Sequence, residues 1–378
     1  MFNISAMSFG SLGAHAIEAL STGAKMGDFY HDTGEGGVSP YHRAGGADVV
    51  WEIGSGYFGC RAQDGTFDAA RFADVVKDPQ IKMIEIKLSQ GAKPGHGGVL
   101  PGAKVTAEIA ATRGIPIGET CFSPPGHSAF STLIEMIEFV AHLRDLSGGK
   151  PVGIKFCVGN RWEILALCKA MLETGIRTDF MVVDGGEGGA GAASAEFLDH
   201  IGAPLRQGLV LTRNALIGSG LKDHVRLACS GKQISAFAIA SSMALGADWV
   251  NTARGFMFSL GGIQSLNCHN NTCPTGIATT DEGRQRGLVV ADKAERVYNF
   301  HGNTVKALME VVGAAGCEHL AELTPRHIMH RVTEDITLPA HRAYDLLEKN
   351  ALLDAPEDTE FADEWATAQA ASFRPLSL

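Results

Sequence analysis

Short apolar runs recur along the chain, and nearly every one ends in glycine and polar residues. They stand in FNISAMSFG (2–10), FYHDTGEGG (29–37), KMIEIKLSQG (82–91), PIGETCFS (116–123), VGIKFCVG (152–159), DFMVVDGG (179–186), VRLACSG (225–231) and ADWVNTARG (247–255). Segments of helical period separate them, among them 15–26, 68–77, 104–113, 131–146, 162–174, 206–220 and 233–245. Strands that alternate with helices form parallel units. Eight candidate strands close most simply into an α/β fold of the (β/α)8 TIM-barrel type, with an open doubly wound sheet as the second choice. Glycine and functional polar residues at the C-terminal ends of strands mark the face where barrel sites lie.

Two stretches interrupt the alternation. Residues 38–66, containing DVVWEIGSGYFGC, read as a hairpin inserted after the second strand, and GAKPGHGGVLPGA (91–103) reads as a long loop after the third. Both are placed to cover the barrel mouth. The expected division is one barrel domain over 1–333 and a C-terminal extension over 334–378, partly mobile because residues 351–378 are acidic and Ala-rich. The chain opens almost inside its first strand, which predicts a further segment upstream in the native protein.

Lys and Arg number 32 against 42 Asp and Glu, a formal net charge of −10 with the charges scattered. That balance argues against nucleic acid or an anionic membrane as the main partner and points to a small ligand. Eight cysteines in 378 residues are too sparse for a disulfide framework, and six of them (Cys60, Cys121, Cys157, Cys168, Cys229, Cys317) sit among apolar or glycine neighbours, so the expected compartment is reducing and cytoplasmic. No run approaches the roughly 20 apolar residues of a membrane span.

In barrels, phosphate is commonly held by the loops after strands seven and eight. Here these loops are CSGKQ (229–233) and TARG (252–255). Ser230 and Gly231 offer backbone and hydroxyl groups, Lys232 adds charge, and Ala253 and Arg254 face them; the alternative is ordinary turn glycines beside surface cations. DGGEGGAGAA (184–193), with Gly185 and Gly186, lacks the context of a dinucleotide fingerprint and is read as a loop approaching a flavin phosphate and ribityl chain. Lys155 lies in the apolar strand GIKFCV, where an unpaired ammonium is costly. It meets either a cofactor, since reduced flavin is negative near N1 and O2, or a strand carboxylate such as Glu85 or Glu119. Glu35 in TGEGG and Gln90 in KLSQG either position a substrate and relay a proton or cap their loops.

The loop GGIQSLNCHNNTCPTG (261–276) holds Cys268 and Cys273, separated by four residues. Such an interval suits an iron–sulfur ligand loop, but two thiolates are too few for a cluster.

Taken in order, NISAMSFGSLG, HDTGEGG, IEIKLSQGAKPGHGG, FSPPGHSAFS, DGGEGGAGAA and CHNNTCPTGIAT resemble the FMN-binding synthase domain of glutamate synthases, especially the stand-alone glutamate-synthase-like proteins, over roughly residues 2 to 330. The resemblance implies an FMN-bearing barrel in which 2-oxoglutarate and ammonia form 2-iminoglutarate, which a hydride from the flavin reduces to L-glutamate. Ala6, Met7 and Ser8 would then border the isoalloxazine ring, Lys155 its N1/O2 side, and Ser230, Gly231 and Lys232 the phosphate. Glu35 and Gln90 would face substrate and ammonia. The resemblance places three cluster cysteines at positions 262, 268 and 273, and position 262 is Gly262. Cys268 and Cys273 therefore read as two surviving ligands of a 3Fe–4S site, and a cluster would need another donor such as His269. No glutaminase cysteine and no nicotinamide-binding domain are recognisable, so ammonia would come from solution or a glutaminase partner, and electrons from a separate reductase or ferredoxin. The companion readings are an N-methylglutamate synthase-like subunit that uses an amine, and a non-catalytic flavin-binding subunit of a larger complex.

Overall fold

The structure, a computed structural model, describes residues 1–376 except 190–192 and 195. Eight parallel strands close into a barrel. They are β1 (Phe2–Ile4), β2 (His31–Asp32), β3 (Val49–Ile53), β4 (Ile81–Lys87), β5 (Val152–Phe156), β6 (Phe180–Asp184), β7 (Arg226–Ser230) and β8 (Trp249–Thr252). The ring closes where β1 pairs with β8, Phe2 opposite Val250 and Ile4 opposite Thr252. No helix among the described residues is long and apolar enough to cross a membrane.

The barrel is the expected one, but two of its strands were assigned differently from sequence. Val49–Ile53, expected within an inserted hairpin, is the third barrel strand, paired to β2 and β4. All five of its residues are buried, and Trp51 stacks outward on Phe72 of the helix Ala69–Val75, 5.2 Å between centroids. Alternation along a strand then turns Glu52 inward. Conversely, the run 116–123 contributes no barrel strand: Cys121–Phe122 pairs antiparallel with Val99–Leu100 outside the barrel. A β-branched and aromatic pentamer that is buried on both faces satisfies a central parallel strand. PIGETCFS, which leaves Ile117 and Phe122 about two-thirds exposed, does not.

Inside the barrel the side chains form layers. Phe180, Val182 and Ala228, with Met83 and Trp249, make an apolar plug. Nearer the C-terminal face, Asp32, Glu52, Glu85 and Lys155 are all buried. This charged layer is the floor of the site described below. Outside, the long helix Val290–Ala314 packs along Ala14–Gly27, where a side chain at Gly23 would meet Val297 at 2.5 Å. Residues 334–376, expected to be partly mobile, lie against the barrel's helices: Leu352 and Phe361 are 1% exposed, and the Arg161 guanidinium sits 4.2 Å from the Phe361 ring centroid.

Candidate active site

At the C-terminal mouth of the barrel lies a cavity of about 440 Å³, within the range of small-molecule sites. Ala6, Met7, Ser8, Glu35, Gln90, Lys155, Ser230, Gly231, Lys232, Ala253 and Arg254 all line it, as do Gly262 and Cys268. Gly185 and Gly186 stand behind its wall: side chains there would strike Leu205 and the Gly202 carbonyl oxygen, each at 2.5 Å. Their lack of a side chain serves loop packing, and the neighbouring Gly188 and Gly189 reach the cavity instead. Residues 190–192 of the same glycine-rich run fall outside the described residues.

One end of the cavity is built by the loops after β7 and β8. Gly231 has φ +130°, and a Cβ there would come within 3.2 Å of the Gly185 amide nitrogen. Glycine is thus required by both conformation and space. Lys232 follows at φ 49° and pairs with Asp199 at 3.3 Å on the surface. Asp184 ties the neighbouring loops together, accepting from Ser230 Oγ at 2.7 Å and from the Gly91 amide at 2.6 Å.

The other end gathers groups that sequence reasoning passed over. Lys87 Nζ lies 3.2 Å from Glu35 Oε1 and donates to Gln90 Oε1 at 2.8 Å. Ser123 Oγ donates to Glu35 Oε2 at 3.3 Å. Lys93 and Arg113, both 5% exposed, line the same wall. Arg113 donates to the Phe9 carbonyl at 3.3 Å and lies over the Phe58 ring, 5.0 Å from its centroid. Burial alone would raise the Glu35 carboxyl, but the charges of Lys87 and Arg113 outweigh it and hold the group below the usual range. Burial pushes the Lys93 ammonium down, and the Lys87 charge adds to this. Lys87 and Lys93 stood in the quoted motif IEIKLSQGAKPG, and their spacing around Gln90 was the available signal.

Lys155 meets carboxylates: its Nζ is 2.5 Å from Glu52 Oε2 and 3.7 Å from Glu85 Oε1. Glu119 is exposed and plays no part. Lys155 and Glu52 also face the cavity, so the lysine is both paired and available to a ligand.

At the rim, the cysteine loop is organised by Lys104, whose buried ammonium donates to the carbonyls of Ser11 (2.7 Å), Cys268 (3.1 Å) and Ala278 (3.3 Å). Cys273 is buried and Cys268 half-buried. Burial would raise the Cys273 thiol, but the Thr275 hydroxyl and backbone N–H groups of Ala278, Thr275 and Ile277 lower it overall. Among the described residues, no group of three His, Cys, Asp or Glu donors includes either cysteine. A Cβ at Gly262 would lie 2.8 Å from the Met257 carbonyl oxygen, so that position is filled by the end of the helix Arg254–Leu260. The expected result is therefore no stoichiometric iron after anaerobic reconstitution, and none in Gly262→Cys without movement of that helix end. Iron and sulfide analysis giving near three irons per chain would overturn this.

The chain is thus a closed β/α barrel whose mouth holds a cavity with cations at both ends and a charged floor. The chain belongs to the family described as the conserved region in glutamate synthase, which matches residues 1–318. The glutamate synthase large subunit-like protein YerD of Bacillus subtilis (strain 168) is 42% identical over 328 residues, 86% of this chain and 62% of YerD. The archaeal glutamate synthase (NADPH) of Methanocaldococcus jannaschii is 31% identical over 321 residues, 85% of this chain and 60% of that protein. The chain thus spans about three-fifths of the length of these curated relatives. Among solved structures, a mandelate oxidase aligns with 85% of this chain and 75% of its own at TM-score 0.48 and 16% identity.

Proposed function

We propose that this chain binds FMN at the barrel mouth and acts as a glutamate synthase-like oxidoreductase, converting 2-oxoglutarate and ammonia through 2-iminoglutarate to L-glutamate. The observation that carries the reading is the charge distribution of one cavity. Lys232 and Arg254 stand at the end built by the loops after β7 and β8, and Lys87, Lys93 and Arg113 gather at the other around Glu35 and Gln90. A ligand with a terminal phosphate suits the first group, and a dicarboxylate suits the second.

The residues present fit FMN. Gly231 leaves room for close backbone approach, Ala6 and Met7 line the cavity, and Lys155 stands at the floor. FMN, when bound, supplies hydride chemistry. Lys87, Lys93 and Arg113 would bind and orient the two carboxylates of 2-oxoglutarate. Glu35, kept ionised, accepts N–H hydrogen bonds from ammonia at its Oε atoms and holds the amine beside the keto carbon. Gln90, fixed by Lys87, presents its amide to the same substrate. The loop over 91–103 and Ser123 cover this end and limit water. Electrons come from a separate donor, and ammonia from solution or a partner.

The test is direct. Purified protein incubated with FMN should retain about one per chain, and the anaerobically reduced protein should return to the oxidised spectrum on addition of 2-oxoglutarate and ammonium, with glutamate formed. Failure to hold FMN sinks the reading. Turnover with methylamine but not with ammonium would replace it by the N-methylglutamate synthase-like alternative.

A further inference from the structure

At the cavity floor, four neighbouring strands each send one charged side chain inward: Asp32 from β2, Glu52 from β3, Glu85 from β4 and Lys155 from β5. The three acids are each 1% exposed and the lysine 4%. One oxygen from each carboxyl lies within 4.8 Å of those of the other two. Glu85 Oε1 is buried and has no hydrogen-bond partner among the described residues. Three carboxylates around one ammonium would leave two uncompensated negative charges in a dry interior. Like charges this close repel strongly in a low-dielectric interior, and one ammonium does not offset all three, so the three acids are not all ionised together.

We propose that Asp32, Glu52, Glu85 and Lys155 act as one proton-sharing unit, in which a carboxyl stays protonated at neutral pH and Asp32 takes up a second proton when negative charge arrives beside Lys155. Glu52 stands closest to Lys155, at 2.5 Å, and is its direct partner. Glu85, between Glu52 and Lys155 in the strand order, stands 3.7 Å from the ammonium against 2.5 Å for Glu52, has an oxygen without a hydrogen-bond partner among the described residues, and keeps the resident proton. Burial, then the charge of Asp32, pushes Glu85 well above the carboxylate range. Burial, then the charge of Glu52, brings Asp32 up to about 7. Burial alone would lower Lys155, but Glu52, Glu85 and Asp32 raise it well above the ordinary lysine value. The remaining ionisable groups facing the unit are Asp184 from β6, which also raises Lys155, and Tyr30 before β2, whose buried phenol is raised by burial and then by Glu85 and Asp32. The inward groups of β7 and β8, Ser230 and Asn251, are neutral.

The arriving charge is that of a reduced flavin ring, so this part rests on the FMN reading. An electrode working through a viologen mediator delivers two electrons and no protons. With one proton bound at the ring, the cofactor becomes one unit more negative, and Asp32 then draws one further proton from solvent.

Two measurements separate the ideas. Infrared spectra of the protein without FMN at pH 8, where ordinary carboxyls are ionised, should show the C=O stretch of a buried protonated carboxyl, lost in Glu85→Gln; its absence from the unmodified protein overturns the proposal. Anaerobic electrochemical reduction of the FMN-loaded protein in weak buffer with a pH indicator should consume two protons per two electrons at pH 8, and one in Asp32→Asn. One proton in both overturns the proposal while leaving FMN binding intact. If FMN does not bind, the functional reading fails and the infrared band alone decides. Should Glu85→Gln not fold, persistence of the band through a pH titration of the unmodified protein gives the same answer.

Discussion

Lys155→Met should lower the stability of the folded chain by about 3–5 kcal/mol at pH 8, the usual cost of breaking one side of a buried ion pair. The effect should shrink at pH 5. Removing the ammonium leaves Glu52, Glu85 and Asp32 with mutual repulsion, which protonation relieves. The sign follows from linkage: a carboxyl whose folded value is raised, as for Asp32 at about 7, contributes stability in its protonated state. That contribution is complete below the unfolded value near 4 and is lost as pH rises through 7. Without Lys155 the raised values climb further, so stability should fall more steeply and over a higher range. Urea denaturation of both proteins at pH 5 and pH 8 checks this, and an equal penalty at the two pH values would contradict it.

Gly91→Ala should be the most damaging single methyl group at the site. A Cβ at Gly91 would overlap the Gly185 carbonyl oxygen, where the loop after β4 meets the loop after β6. Its own amide is bonded to Asp184, so the loop cannot retreat without losing that bond. Overpacking of this kind costs about 1–3 kcal/mol when side chains can move, and backbone against backbone puts the substitution at or above the upper end. Because the displaced atoms lead into Ser230 and Gly231, FMN retention should fall together with stability. Gly302→Ala is the control: the position lies within the helix Val290–Ala314 and nothing stands within 4 Å. Here alanine should stabilise by about 0.5–1 kcal/mol through helix propensity. Thermal denaturation and flavin retention of both variants would suffice, and an unperturbed Gly91→Ala protein would show that the loops are not packed as described.

The barrel was legible because strand and helix periods alternate along most of the chain. The errors came where local pattern and tertiary burial part company. VVWEI is as apolar as any barrel strand, but the GSG turn after it and the lack of an immediate helix made it resemble a hairpin arm. PIGETCFS carries the glycine and polar residues of a strand end, yet its neighbours leave it at the surface. Misplacing Glu52 in the hairpin also hid the closer partner of Lys155, while Glu85, on a correctly read strand, was named. That the loops after β7 and β8 build one end of the cavity was legible from the rule that barrel sites lie at the C-terminal ends of the strands. Arg113 was not, since a single cation at the end of a short helix looks like any solvated surface residue until Phe58 and the Phe9 carbonyl are seen around it. Leu352 and Phe361 were equally hidden, as isolated apolar residues in an acidic stretch.

The seam between β1 and β8 imposes an order on biosynthesis. Phe2, Asn3 and Ile4 acquire their partners on one side only when Val250, Asn251 and Thr252 have been made. At ribosomal rates of about 5–20 residues per second, that interval is roughly 10–50 s. Throughout it the incomplete sheet presents an unpaired parallel edge and an open apolar interior, both of which invite association with other chains. The nascent polypeptide is therefore a natural client for chaperones until the eighth strand emerges, and truncation anywhere before residue 249 should yield insoluble product rather than a smaller folded unit.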